Sequence, residues 1–213
     1  MRWRPSLWHV DDDLLVVEKP AGLLSVPGRS AEEQDCLSAR VNGWWPGARI
    51  VHRLDQPTSG LLLLPRHADA HRTLSIAFEQ RRVDKHYVAV VHGEVAGDSG
   101  TIDAPITVDW PNRPRQHVDA AHGRPSLTHW RVLERLPSED GHRPRTRLVL
   151  QPVTGRAHQL RVHLLHIGHP IVGDRLYGSK DDAATRLMLH AAGIAFDHPR
   201  TALRLAFESP PPF

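Results

Sequence analysis

In the stretch His52-Arg53-Leu54-Asp55-Gln56-Pro57-Thr58-Ser59-Gly60 one carboxylate, Asp55, stands beside a basic pair, in a turn that runs into the apolar Leu61 to Leu64. An acid so placed can serve as a nucleophile, a general base or a metal ligand. A metal ligand needs company, and no second carboxylate lies within several residues. A glycosidase would need a partner acid at a set separation, and no acid-rich motif offers one. Arginines are what accompany it: Arg53 close by, and Arg156 and Arg161 in a later segment. An arginine packed on an aspartate lowers its pKa by roughly 1–3 units from about 3.9. The acid is then ionised at neutral pH, as a nucleophile must be and a proton donor must not. The plain alternative is an N-cap or turn aspartate, since Asp is common in turns.

Three further blocks carry side chains suited to nucleic-acid chemistry. In Lys85-His86-Tyr87-Val88-Ala89-Val90-Val91-His92-Gly93, Tyr87 opens a valine-rich strand. Its ring could lie against a nucleobase, or simply pack in a core. In Gly155-Arg156-Ala157-His158-Gln159-Leu160-Arg161-Val162-His163, His158 and Arg161 are three apart and share a helix face. The loop Asp109 to Val118 sets Trp110, Asn112, Arg113, Arg115 and Gln116 among prolines. A stiff backbone, a stacking ring and phosphate-holding arginines suit single-stranded RNA; a rigid structural turn is the alternative. The histidines His158, His163, His166 and His169 make a zinc site thinkable, but their spacing fits no zinc signature and the single Cys36 is distant. There is no P-loop and no dinucleotide glycine fingerprint. No cofactor and no metal are expected.

The elements that must position these groups follow from local pattern. Val10 to Pro27 reads as acidic turn, strand at Leu14 to Val17, turn at Lys19-Pro20-Ala21-Gly22, then a second strand. Ser30 to Trp45 reads as a short helix ending near Gly47, and Leu61 to Leu64 as a strand. Ala68 to Arg82 has helical spacing at Leu74, Ala77 and Phe78, with Asp69 early and Arg81-Arg82 late. His86 to His92 reads as a strand, and Ser99 to Val118 as loop-rich. Thr128 to Leu136 and Thr146 to Pro152 read as paired strands joined by a polar, Arg-rich loop. Arg156 to Ile167 is a helix with Leu160, Leu164 and Ile167 on one face and Gly168 as its C-cap. Arg186 to Ala191 and Ala202 to Phe207 are short strands, and Ser209 to Phe213 an extended end. Strands outnumber helices and follow one another through hairpin-like turns, so the expected class is α+β: one domain, residues 1–213, with a central, largely antiparallel mixed sheet flanked by helices.

Composition agrees. With 40% hydrophobic and 24% charged residues in 213, the chain can build a packed core. The net charge is only +3 although the pI is about 9.5. Arginine dominates the basic residues, and its planar fork suits phosphates and bases. A lone cysteine excludes an intrachain disulfide and fits a reducing cytoplasm. No apolar run is long enough to cross a bilayer, and Met1 to Val10 has no signal-peptide core. A soluble cytoplasmic monomer is expected, with no membrane or DNA partner.

The segment His52 to Gly60 resembles the active-site motif of the RluA family of pseudouridine synthases, roughly H-R-L-D-x-x-T-S-G. Lys85 to Val91 is similar to its K-x-Y-x-A-x-V element, Gly155 to His163 to G-R-x-H-Q-L-R-x-H, Gly168 to Asp174 to the element that follows, and Arg186 to Ala191 to R-L-x-L-H-A. The resemblance runs from Asp12 to about Phe207. It implies isomerisation of uridine to pseudouridine in RNA without a cofactor. Asp55 is then the nucleophile, Tyr87 stacks on the base and assists proton removal, and Arg161 pairs with Asp55. Arg53 enters the gap left by the flipped base, and Leu189 lines the base pocket. His52, Lys85, Trp110, Arg113, Arg115, Gln116, Arg156, His158 and Gln159 are the further substrate-binding candidates. The early Lys19-Pro20-Ala21-Gly22, with no S4 RNA-binding domain before it, and Asp109-Trp110-Pro111-Asn112-Arg113-Pro114 resemble the family branch that modifies a 23S rRNA hairpin and the anticodon stem-loop of tRNA. Pro57 is less usual in the motif and stiffens the turn. A catalytically silent RNA-binding or RNA-folding protein is the alternative, needing no intact acid.

Overall fold

A computed structural model of the chain describes residues 5–137, 144–178 and 182–213. Its strands are β1 (Ser6–Val10), β2 (Leu14–Lys19), β3 (Ser59–Pro65), β4 (Asp84–His92), β5 (Ser99–Asp103), β6 (Ile106–Val108), β7 (Gln116–Val118), β8 (Leu127–Leu136), β9 (Arg145–Pro152), β10 (Leu189–Asp197) and β11 (Arg204–Glu208). The α-helices are α1 (Leu37–Asn42), α2 (Ala68–Glu79) and α3 (Gln159–His166), with a 3-10 turn at Ala31–Glu33. This is the α+β, largely antiparallel class expected. Contacts gather the chain into two compact units: residues 1–85 with 191–212, and residues 86–190 with Phe213.

In the first unit β1, β2 and β3 form an antiparallel meander in which Leu14 faces Pro65 and Lys19 faces Gly60. Leu14 to Val17 and Leu61 to Leu64 are buried on both faces of the sheet, which is why they read as unbroken apolar runs. Leu74 and Ala77 of α2 pack on Leu14, Val16, Leu61, Leu63, Ile194 and Phe196. β3 lies beside β10, and β11 pairs antiparallel with β10. Gly60 permits this closeness: its φ is +119°, and a Cβ there would lie 2.3 Å from the Ala191 carbonyl oxygen.

In the second unit β4, β9, β8 and β5 pair antiparallel in that order, with Tyr87 opposite Leu150. β6 and β7 form a separate hairpin. Leu160 and Leu164 of α3 pack on Ala89, Val91, Leu148 and Leu150. α3 ends as expected: Gly168 has φ +84°, its N–H donates to Leu165, and the His169 N–H donates to Leu164, the paired bonds of a Schellman cap.

Several expected elements differ. The strand after Gly22 reduces to one bridge between Leu24 and Cys36, because the Leu24 and Ser25 carbonyls accept from Leu37 and Ser38 of α1 instead. The single helix over Ser30 to Trp45 divides, since Cys36 is extended and caps α1 through Sγ. α3 begins at Gln159, not Arg156, because His158 is left-handed (φ +55°). Ser99 to Val118 holds three short strands, and β1 precedes the acidic turn. The loop between β8 and β9 falls largely on residues 138–143, outside the described residues.

Candidate active site

The turn that carries Asp55 is pinned from several sides within the first unit. Lys19 is fully buried, and its Nζ donates to the carbonyls of Pro20 (2.9 Å), Leu23 (2.7 Å) and Gln56 (3.0 Å). The Gly22 N–H donates to the Gln56 carbonyl, and the Gln56 amide returns a bond to the Gly22 carbonyl. The buried Ser25 hydroxyl donates to the Leu54 carbonyl and accepts from the Leu54 N–H. The Thr58 N–H closes the turn on the Asp55 carbonyl at 3.0 Å. Asp55 is half-buried at its crest, and Arg53 is exposed. The backbone beneath the carboxylate is thus fixed by hydrogen bonds from Lys19, Gly22, Ser25 and Thr58, which is what preorganised chemistry requires.

His52 anchors the same turn to β3. Its Nε2 accepts the Leu63 N–H at 2.9 Å, so its ring proton sits on Nδ1, and the ring stacks on Phe78 with centroids 4.8 Å apart. Burial, with the Lys85 ammonium nearby, pushes its pKa down to about 3. The Lys85 Nζ lies 5.7 Å from the Phe78 ring centre, and burial lowers its pKa too.

The second unit carries the remaining candidate residues. Tyr87 is half-buried at the start of β4 and packs on that unit's core, where Leu189 is buried. Arg161 is buried, and its Nε and Nη2 each donate to Asp174 at 2.8 Å. On the β6–β7 hairpin, Trp110 is 63% exposed and the Arg113 guanidinium lies 4.0 Å over its ring. Arg115 faces the Tyr177 ring at 5.5 Å, and the Gln116 N–H donates to the Tyr177 hydroxyl at 2.8 Å. That hydroxyl, its oxygen already accepting, meets His158 Nδ1 at 2.7 Å. Arg156 donates to the Pro125 carbonyl. Gln159 is an internal brace. Its Oε1 accepts from Thr154 and the Arg156 N–H, and its Nε2 donates to the Leu127 carbonyl and Thr128, which leaves its amide no bond to offer RNA. The chain continues inward, where Thr128 meets His163 Nδ1 and His163 Nε2 meets the Ala104 carbonyl. Burial holds His163 neutral by lowering its pKa.

Among the described residues, Asp11, Asp13 and His198 come together with metal-like spacing. Their hydrogen bonds define another object. His198 Nδ1 accepts the N–H groups of Arg200 and Thr201, so its proton sits on Nε2 and points at Asp11. A metal on Nε2 would demand imidazolate. Arg200 and His67 meanwhile hold Asp13. Burial raises the Asp11 pKa, but His9 and the Leu14 and Asp13 amides outweigh it and bring it to about 2.

The first unit carries a braced turn with the half-buried Asp55, the second a hairpin with an exposed Trp–Arg stack, and comparison with known proteins gives the class to which such a chain belongs: RNA-modifying enzymes. The chain belongs to the RNA pseudouridylate synthase family, whose model matches residues 13–166. It is 44% identical over 207 residues to the dual-specificity RNA pseudouridine synthase RluA of Pasteurella multocida, covering 96% of this chain and 92% of that one. It is 43% identical over 213 residues to the protein of that name from Escherichia coli K12, with 99% and 94% covered. The solved structure of human RNA pseudouridylate synthase domain containing 1 superposes with a TM-score of 0.82 at 30% identity, over 99% of this chain and 84% of that one. The chain is accordingly an isomerase that acts on RNA. The described residues contain no helix long and apolar enough to cross a membrane.

Residue pattern alone missed Lys19, Ser25, Asp174 and Tyr177. Lys19 read as a turn residue; an apolar strand ending in lysine before Pro-Ala-Gly was the available signal. Asp174 lies 13 residues from Arg161, beyond any local pattern.

Proposed function

We propose that this enzyme converts uridine to pseudouridine in a 23S rRNA hairpin and in the anticodon stem-loop of tRNA, as a cytoplasmic monomer with one catalytic domain. The observation that carries the reading is the turn His52 to Gly60, whose backbone is braced around the half-buried Asp55. The target uridine leaves its stack, and Arg53, exposed beside Asp55, takes its place. Asp55 attacks as a carboxylate, at the base or at the ribose carbon. The N1–C1′ bond breaks, the uracil rotates, C5 bonds to C1′, and the bond made by Asp55 breaks, returning its carboxylate. The C5 proton leaves with help from Tyr87, and N1 ends protonated, so the product has the substrate's composition. Arg161 keeps Asp55 charged and oriented. Trp110, Arg113 and Arg115 hold single-stranded RNA on the hairpin, an arrangement that the guanidinium–indole stack supports.

Tritium release from C5 of uridine in transcribed 23S hairpins and anticodon stem-loops tests this. Wild type should release tritium from both, and Asp55→Ala from neither. Release from one RNA alone narrows the substrate. Equal RNA binding by both proteins with no release from any RNA would make this chain a silent RNA-binding protein.

A further inference from the structure

Arg161 does not stand alone in its unit. Asp174 is 1% exposed and spends both oxygens on a compact set of donors. Its Oδ2 accepts Arg161 Nε at 2.8 Å, while its Oδ1 accepts Nη2 at 2.8 Å and the N–H groups of Leu176 and Tyr177 at 3.0 Å each. A forked arginine–carboxylate pair fixes the plane of the guanidinium as well as its position. The two further amide bonds satisfy a carboxylate that would otherwise be costly to bury. The clamp occupies one edge of the guanidinium and so sets the direction of the other.

The turn that supplies those amides also supplies Tyr177. Its ring lies 4.9 Å from the Arg161 guanidinium and 5.5 Å from that of Arg115. Its hydroxyl holds the Gln116 N–H at the base of the hairpin and His158 at the start of α3. Asp174 and Tyr177 therefore join Arg161 to the hairpin that presents Trp110 and Arg113.

We propose that Asp174 and Tyr177 are positioning residues of the reaction: Asp174 aims Arg161, and Tyr177 couples that arginine to the RNA-facing hairpin. The inference rests on the role given to Arg161 above. An RNA seated on Arg115 and Trp110 bears on a hairpin that the Tyr177 hydroxyl ties to the turn holding Arg161.

Steady-state tritium release, with thermal unfolding as a control, tests it in Arg161→Met, Asp174→Asn, their double variant and Tyr177→Phe. Asp174→Asn should lower kcat about 100-fold with KM within about threefold, and adding it to Arg161→Met should cost nothing more. Tyr177→Phe keeps every carbon and removes one hydroxyl, so it decides the matter should Asp174→Asn fail to fold. It should raise KM about tenfold with kcat within about threefold. A folded Asp174→Asn with wild-type kcat, losses that multiply in the double variant, or a Tyr177→Phe that shifts only the unfolding temperature would overturn the proposal. Wild-type kcat in Arg161→Met would remove the role of Arg161 itself, and this inference with it.

Discussion

His52 makes the pH dependence of folding readable at one residue. In the folded chain its Nε2 lone pair is committed to the Leu63 N–H, and its pKa stands at about 3. Unfolded, it titrates near 6.5. Between those values the unfolded chain binds a proton that the folded chain refuses. Stability from this residue is therefore complete above about pH 6.5 and drains away as pH falls towards 3. At pH 5 the separation is about 1.5 units, or about 2 kcal/mol; at pH 7.5 it is close to zero. His52→Gln supplies an amide oxygen that can accept the same N–H and cannot titrate. Urea unfolding of both proteins at pH 7.5 and 5.0, followed by tryptophan fluorescence, isolates the effect. Asp11, Asp13 and His163 are present in both proteins and cancel in the difference. Wild type should lose about 2 kcal/mol more than His52→Gln between the two pH values. Parallel losses, within about 0.5 kcal/mol, would show that the folded ring accepts a proton near its ordinary pKa and that the Leu63 bond does not constrain it.

Two other substitutions probe the same turn. Lys19→Met removes the ammonium that joins the Pro20, Leu23 and Gln56 carbonyls, and the turn it fixes should drift; kcat for tritium release should fall about 100-fold, and an unchanged kcat in folded protein would deny the brace a catalytic role. Gly60→Ala forces a Cβ against the Ala191 backbone at a positive φ, and should destabilise the fold by about 2–4 kcal/mol in urea titration; a wild-type midpoint would refute so close an approach of β3 and β10.

Elements whose burial is carried by their own residues were legible. Leu14 to Val17, Leu61 to Leu64 and the β8–β9 pair announce themselves by apolar runs and β-branched content, and Gly168 stops α3 by a purely local mechanism. Legibility failed where a distant partner decides. Leu24 and Ser25 look like strand but spend their backbone on α1. Three-residue strands such as β6 and β7 are too short to show a period. His158 sits inside a helical pattern yet turns left-handed, in contact with Tyr177, 19 residues away. The site divides the same way. Asp55 stands out because a long motif surrounds it, whereas Lys19 and Asp174, which hold backbone and guanidinium still, owe their roles to partners 37 and 13 residues off. Gln159 shows the converse, a motif residue with the look of a ligand-binding amide that the fold consumes internally.

The bracing of the Asp55 turn also assigns the labour of recognition. A backbone tied to Lys19, Gly22, Ser25 and, through His52, to β3 cannot swing out to meet a stacked base. Only side chains at its crest can adapt. If Asp55 acts as proposed, the work of bringing uridine and carboxylate together falls on the RNA, which must unstack a nucleotide at a cost of a few kcal/mol. A receptor that stays rigid turns that cost into a filter: uridines in strained loops come forward readily, while those in continuous helices stay out of reach. Choice among thousands of chemically identical bases then begins with the mechanical softness of the RNA, before any side chain has touched an edge of the base.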